Sequence, residues 1–342
     1  MKALIVKPVG NFQQVEMDIP AIKDNEVLMK VKYVGICGSD GMLWQQLWMP
    51  DPVLGHEFTG WIEDPGAFDF KKGDRVCIPE NNPCMNCGYC NTGREHLCAT
   101  SMADVPGVSK EGAFAEYVAV RGDMVRKLAD NVSLELATLA EPVAVALHGV
   151  NRSKIPAGET LLVWGNGPIG AYTAYCAKKR GVSKVYMVGR GQNRVDKCNT
   201  FSYVDMCFSV KDPDFDKKLT DVTPDGGFGY VIDALGNSED FNNIINRMRP
   251  DGNLVLLGLH TPDVIFNALT LLVKEINVYP GIFFTPKEFD EALVLMADDE
   301  EELLKTITSK IPLDADVMQA MFVKLFESGK NDDYKVLVDL DL

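Results

Sequence analysis

The chain has 342 residues, with 46% hydrophobic and 24% charged side chains, the proportions of a globular protein large enough for two ordinary domains. Its net charge of −15 argues against nucleic acid and anionic membranes as partners, since both attract basic surfaces. The apolar start Met1–Pro8 is too short for a signal peptide and no stretch reaches transmembrane length; with nine cysteines, an odd count, a reducing cytoplasm is expected.

Residues 1 to about 140 read as β-rich: short apolar runs such as Val27–Val34 and Asp74–Pro79 are broken by Gly, Pro and Asp. From about 158 the pattern alternates. Thr160–Trp164 predicts a buried strand, Ile169–Arg180 a helix ended by Gly181, and Lys184–Val188, Tyr230–Asp233 and Asn253–Leu257 further strands. Such alternation predicts an α/β fold, a parallel sheet with helices on both faces. After Gly281, helices are expected at Pro286–Met296 and Val317–Gly329, and the acidic run Asp298–Glu302 reads as a solvated surface. Cys77, Cys176, Cys198 and Cys207 stand in strand-like or helical apolar contexts and read as inert packing residues.

Four cysteines, Cys84, Cys87, Cys90 and Cys98, are spaced C-x2-C-x2-C-x7-C. Four soft thiolates in one short segment can close a tetrahedron around one Zn2+, leaving no open position for a substrate, so a structural site is expected in a lobe at about 80–100. Two disulfides are the alternative, disfavoured by the absence of other secretory features.

Gly165-Asn166-Gly167-Pro168-Ile169-Gly170 is a G-x-G-x-x-G element that follows a predicted strand and opens a helix, the context that marks a dinucleotide site. Gly165 allows the tight turn, Gly167 the approach of backbone to a pyrophosphate, and Gly170 close helix packing, with the helix N-terminus stabilising the phosphate charge. At the end of the second strand, where a carboxylate would read the ribose of NAD, the chain has Gly189-Arg190-Gly-Gln-Asn-Arg194. Two guanidinium groups suit a 2′-phosphate, so NADP(H) is expected over NAD(H), unless both arginines are merely surface residues.

Cys37, His56 and Glu57 offer a thiolate, an imidazole and a carboxylate, a mixed set suited to an open zinc whose free position takes water or a substrate hydroxyl. With the four-cysteine lobe this makes two zinc ions per chain. Each residue alone reads more readily as a buried thiol or a core histidine. A metal together with a nicotinamide is a hydride-transfer site.

With these motifs in order, together with Lys72-Gly-Asp-Arg-Val76, the chain resembles the zinc-dependent medium-chain dehydrogenase/reductase family over nearly its whole length. The resemblance implies a GroES-like catalytic domain at 1–145, a Rossmann domain at 146–281, a return to the catalytic domain at 282–342, and a cleft between the domains. Glu57 after His56 and Ala140-Glu141-Pro142 resemble the polyol (sorbitol and sugar-alcohol-phosphate) dehydrogenase branch, whose simple-alcohol relatives have Cys at the Glu141 position. It implies that Cys37, His56 and Glu57 bind the catalytic zinc, that Glu141 ligates it or holds its water, and that Ser39 starts a proton relay. The alternative for Glu141 is a helix N-terminal charge; His148, seven residues on, reads as packing. Two departures stand out. Gly41-Met-Leu-Trp44 lacks the family's relay His, so the proton must leave by water, Asp40 or a carboxylate, and Phe284 stands where sorbitol enzymes have Arg. Trp44, Trp48, Phe283 and Phe284 read equally as a substrate wall or as core and interface aromatics.

The resulting expectation is an NADP(H)-dependent oxidoreductase for a secondary alcohol and its ketone, a polyol or sugar, phosphorylated or not, working as a homodimer or homotetramer. An NAD-dependent simple-alcohol or threonine-type dehydrogenase of the same family is the enzyme alternative. A nucleotide sensor that has lost its metal is the alternative of another class.

Overall fold

A computed structural model describes the chain except residues 9, 47, 48, 261, 262 and 329–331. Trp48 and the end of the helix expected at Val317–Gly329 lie outside the described residues. The chain divides into two compact units, Met1–Glu141 with Phe284–Leu342, and Pro142–Phe283. Among the described residues no helix is long and apolar enough to cross a membrane.

The first unit is built on a seven-stranded sheet. Its order is Ile307–Pro312, Lys335–Asp339, Glu26–Gly35, Glu57–Asp64, Arg75–Cys77, Arg126–Lys127, with Tyr117–Arg121 also paired to Glu26–Gly35. Pairing is antiparallel except between Ile307–Pro312 and Lys335–Asp339. A hairpin, Lys2–Lys7 with Asn11–Glu16, stands beside it. Buried Val27, Met29, Val31, Val34, Phe58, Ile62, Val336 and Val338 form its core with Trp44, Phe114 and Phe322, as one face of a sheet must bury its apolar side chains. Trp44 is 1% exposed and meets Phe322 edge-on; Phe284 is fully buried and stacks on Phe289. Both are therefore core residues of this unit. Burial pushes the Cys77 thiol upward, in keeping with packing.

The second unit is a six-stranded, all-parallel sheet in the order Met206–Ser209, Lys184–Gly189, Thr160–Trp164, Phe228–Asp233, Met248–Leu256, Asn277–Pro280. That is the doubly wound order 3-2-1-4-5-6, whose ligand crevice lies at the carboxyl ends of the strands where the order reverses. Leu161, Leu162, Val163 and Trp164 are all buried, the continuous apolar run of a strand covered on both faces. The helix expected at Ile169–Arg180 spans Pro168–Lys179, and the strand expected at Asn253–Leu257 begins earlier, at Met248. The polar start Met248-Arg-Pro-Asp-Gly-Asn253 masks that strand: Met248 pairs with Phe228, and the register then shifts before Asn253 pairs with Tyr230. Cys176, Cys198 and Cys207 are buried and, with the other six cysteines, free of disulfides.

Candidate active site and metal centres

The four lobe cysteines bring their sulfurs within 4.8 Å of one another. Cys84 Sγ lies 3.9 Å and Cys87 Sγ 3.5 Å from Cys90 Sγ. A tetrahedron with Zn–S bonds of about 2.3 Å has edges of about 3.8 Å, so the group fits one zinc. The Cys84 backbone N–H and then the Thr100 hydroxyl, each 3.3 Å from Cys98 Sγ, hold that thiol down to about 6. Hydrogen bonds to the sulfur favour the thiolate that a metal needs.

The mixed set is assembled from separated elements. Strand Glu26–Gly35 runs into Ile36-Cys37, and Cys37 caps helix Gly38–Gln45. Asp40, in the first turn of that helix, accepts the Cys37 N–H at 2.8 Å through Oδ2 and stands 3.2 Å from His56 Nδ1 through Oδ1. A proton on Nδ1 facing Asp40 leaves Nε2 as the ligand nitrogen. Burial opposes charge on His56, but Glu80, Asp40 and Cys37 around it push its pKa well above the ordinary imidazole value.

Glu57 opens the next strand and pairs with Gly35 across the sheet. A Cβ on Gly35 would meet Glu57 Oε2 at 2.2 Å, so only glycine leaves room for this carboxylate to fold back over its neighbour. There Oε2 meets Lys335 Nζ at 2.5 Å, and that buried ammonium also donates to Ile36 O at 3.1 Å. Oε1 is buried with no hydrogen-bond partner among the described residues. An orphaned buried carboxylate oxygen is costly unless a cation sits against it. One ligand atom each from Cys37, His56 and Glu57 lies within 4.8 Å of the others, so the donor set fits a single zinc ion.

Glu141 lies outside that closely spaced trio. It is 4% exposed in the first turn of helix Ala140–Ser153, with Oε1 lacking a partner among the described residues. Burial first, then Glu80 and Glu57, drive its carboxyl well above the usual range, the reverse of what stabilisation by a helix N-terminus does. Ser39 Oγ stands 3.4 Å from His56 Nε2. Two residues escaped the sequence reading. Lys335 carries a signal, a lysine opening the apolar run Lys335-Val-Leu-Val-Asp339, but its partner comes from 278 residues away. Glu80, 3.9 Å from His56 Nε2, sits between a strand and the cysteine lobe with no motif to mark it.

In the second unit, strand Thr160–Trp164 ends at Gly165, whose φ of 128° suits glycine, and Gly167 caps helix Pro168–Lys179 with Pro168 at its first position. A Cβ on Gly170 would lie 2.0 Å from Gly165 O, whereas one on Gly167 would meet nothing within 4 Å. The first requires close packing and the second leaves the helix N-terminus open to a phosphate. Ile169 is half-buried. Asn166 is buried and donates through Nδ2 to Arg190 O at 3.2 Å, tying the loop to the end of strand Lys184–Gly189. Arg190 is 58% exposed, its guanidinium 3.8 Å from Asp240, and Arg194 lies half-buried on helix Gln192–Cys198.

Residues 23–130 match the alcohol dehydrogenase GroES-like domain and residues 168–298 the zinc-binding dehydrogenase domain. The chain is similar to L-galactonate-5-dehydrogenase of Escherichia coli, 32% identical over 91% of this chain and 92% of that one. D-xylulose reductase A of Aspergillus oryzae is 29% identical over 90% and 89%. Among solved structures, a Sinorhizobium meliloti 1021 protein classed as a zinc-binding dehydrogenase, with NADP bound, superposes with a TM-score of 0.85 at 28% identity, covering 99% of this chain and 98% of that one. The first unit is thus GroES-like and the second Rossmann-like, zinc and a nicotinamide dinucleotide are the cofactors, and the chain belongs to the zinc-dependent medium-chain dehydrogenase/reductase family, on its polyol dehydrogenase-like branch.

Proposed function

We propose that this enzyme interconverts a polyol or sugar and its ketone with NADP(H). The observation that carries the reading is the trio of half-buried Cys37 with buried His56 and Glu57, their ligand atoms within 4.8 Å, bordered by further carboxylates at Glu80 and Glu141. An apolar wall would suit a simple alcohol; a polar one suits a substrate with several hydroxyls. Cys37, His56 and Glu57 hold the catalytic zinc, and Cys84, Cys87, Cys90 and Cys98 a second, structural one. Bound zinc lowers the pKa of a substrate hydroxyl and polarises the matching carbonyl, and the nicotinamide exchanges the hydride. Asp40 orients His56. Ser39 both accepts and donates, so it takes the hydroxyl proton without becoming charged. Glu141, kept toward its protonated form by burial, holds water at the site and offers the proton a way out in place of a relay histidine.

Residues 1–145 and 282–342 carry this chemistry, while 146–281 bind the dinucleotide through Gly165 to Gly170, with Arg190 and Arg194 on the 2′-phosphate. The NADP-bound relative and the lack of a carboxylate directly after strand Lys184–Gly189 support that preference. The enzyme works in the cytoplasm as a homodimer or homotetramer. The edge strand Asn277–Pro280 and helix Ala268–Lys274, with Leu269, Leu272 and Val273 exposed, support self-association.

The test is a screen of polyols with NADP+ and ketoses with NADPH. The expected result is turnover of several polyhydroxy substrates, with kcat/KM for NADP(H) above that for NAD(H) and the preference reduced in Arg190→Ala. Higher kcat/KM with NAD(H), or an unchanged preference in that variant, would overturn the cofactor assignment. Turnover of simple alcohols only would overturn the substrate class.

A further inference from the structure

We propose that Glu80 selects the substrate: its carboxylate accepts a hydrogen bond from a hydroxyl on the carbon next to the one oxidised, so the enzyme prefers vicinal diols to simple alcohols. The inference rests on the polyol reading above and deepens it.

Besides Asp40, three glutamates border the candidate zinc site. Glu57 is engaged through Oε2 by Lys335, its Oε1 is buried without a hydrogen-bond partner among the described residues, and one of its oxygens lies within 4.8 Å of the Cys37 and His56 ligand atoms. Glu141 is buried beside Glu80 and Glu57. Glu80, like Glu141, has neither a cation nor a hydrogen-bond donor on its carboxylate among the described residues, but of the two Glu80 is the one that stands against His56 Nε2, and its side chain is 11% exposed. Its Oε1 stands 3.9 Å from His56 Nε2, the nitrogen that Asp40 leaves for the metal, and Ser39 Oγ stands 3.4 Å from the same atom. Ser39 and Glu80 therefore both border the reacting position, one a hydroxyl that exchanges a proton, the other an acceptor. Glu80 is not part of the trio within 4.8 Å, so it is a neighbour of the zinc ligands rather than one of them.

The backbone around Glu80 is pinned. Asn81 Nδ2 donates to Phe284 O at 2.6 Å, Asn82 Nδ2 to Asp104 O at 2.6 Å, and the Asn82 N–H to Ser101 O at 2.9 Å. These bonds fix the chain from which the Glu80 side chain projects, and Glu80 is buried there. An alkyl group against it strands an acceptor, whereas a vicinal hydroxyl satisfies it, and buried acceptors of this kind discriminate strongly between such pairs. An ammonium would satisfy it too. The choice of hydroxyl follows from the polyol reading.

The experiment compares zinc-loaded wild type, Glu80→Leu and Glu80→Gln on a vicinal diol, the mono-alcohol of the same skeleton and the matching amino alcohol, by kcat/KM and by calorimetric binding. Removal of the acceptor in Glu80→Leu is expected to lower the diol-to-mono-alcohol ratio by about 10- to 100-fold. Glu80→Gln, which keeps a neutral acceptor, retains most of that ratio. A cobalt-substituted Glu80→Leu protein is expected to keep the wild-type visible absorption, since no ligand has changed. An unchanged ratio in both variants, an equal loss on all three substrates, or an altered cobalt spectrum would overturn the assignment. Loss of amino-alcohol preference alone would replace the hydroxyl by an ammonium. If wild type turns over no diol, the polyol reading falls, and the binding ratio still decides what Glu80 does.

Discussion

The two candidate metal centres of the first unit are made in opposite ways. The cysteine lobe draws all four ligands from Cys84 to Cys98, on a segment with two short turns of helix and no strand. The mixed trio draws Cys37 from the start of a helix and His56 and Glu57 from the start of a strand, while Lys335, the counter-ion of Glu57, comes from a strand near the chain's end. The first site is expected to need metal for its structure, because its segment supplies little core. The second is held by the fold: Asp40 accepts the Cys37 N–H and stands 3.2 Å from His56 Nδ1, Gly35 makes way for Glu57, and Lys335 pairs with Glu57 Oε2. A local site braces; an assembled one leaves a position open for chemistry.

Breaking each centre should therefore give different signatures. The largest effect is expected for Cys37→Ser, with turnover down by more than about 10^3-fold, one zinc equivalent lost by metal analysis, and NADPH binding by fluorescence retained. Cys84→Ser should instead appear as instability. Calorimetry is expected to give a fall in melting temperature of roughly 10 °C or more, because the lobe's folding free energy comes from its metal. If Cys84→Ser spares thermal stability, the bracing role is wrong.

A finer test is Lys335→Met. Removing one partner of a buried pair costs about 3–5 kcal/mol when the remaining charge is uncompensated, as it is for Glu57 without zinc. Zinc supplies the missing positive charge, so the gap in melting temperature between metal-free and zinc-loaded protein should widen relative to wild type. An unchanged gap would mean that Glu57 does not face the metal. The smallest effect is expected for Asp40→Asn, where zinc affinity by competition with a chelator should fall by about 10- to 100-fold, the usual range for a residue that orients a metal-ligating histidine, with the four-cysteine site unaffected.

Legibility in the sequence follows the same division. Gly165 to Gly170 and the strand before it were readable because a phosphate turn is made by consecutive residues whose backbone shape depends on glycine. The parallel sheet was readable from strand–helix alternation, which is also local, and the cysteine lobe from spacing alone. Cys37, His56 and Glu57 became persuasive only in conjunction with those motifs. Trp44 and Phe284 were undecided between substrate wall and core, since an aromatic looks the same in sequence wherever it packs. Lys335 and Glu80 escaped that reading: nothing near Glu80 marks it as facing His56, and a lysine at the head of an apolar run does not by itself announce a carboxylate 278 residues away.

The sequence by itself determined what depends on neighbouring residues: strand and helix rhythm, the glycine turn at 165–170, the thiolate cluster at 84–98. Only the tertiary structure decided which carboxylate pairs with Lys335, which is pushed toward its protonated form by burial at Glu141, and which stands at Glu80 beside His56 Nε2. The reason is physical. Charge, desolvation and free hydrogen-bonding capacity at a buried site are set by whatever the fold brings within a few ångströms, and chain distance says nothing about that.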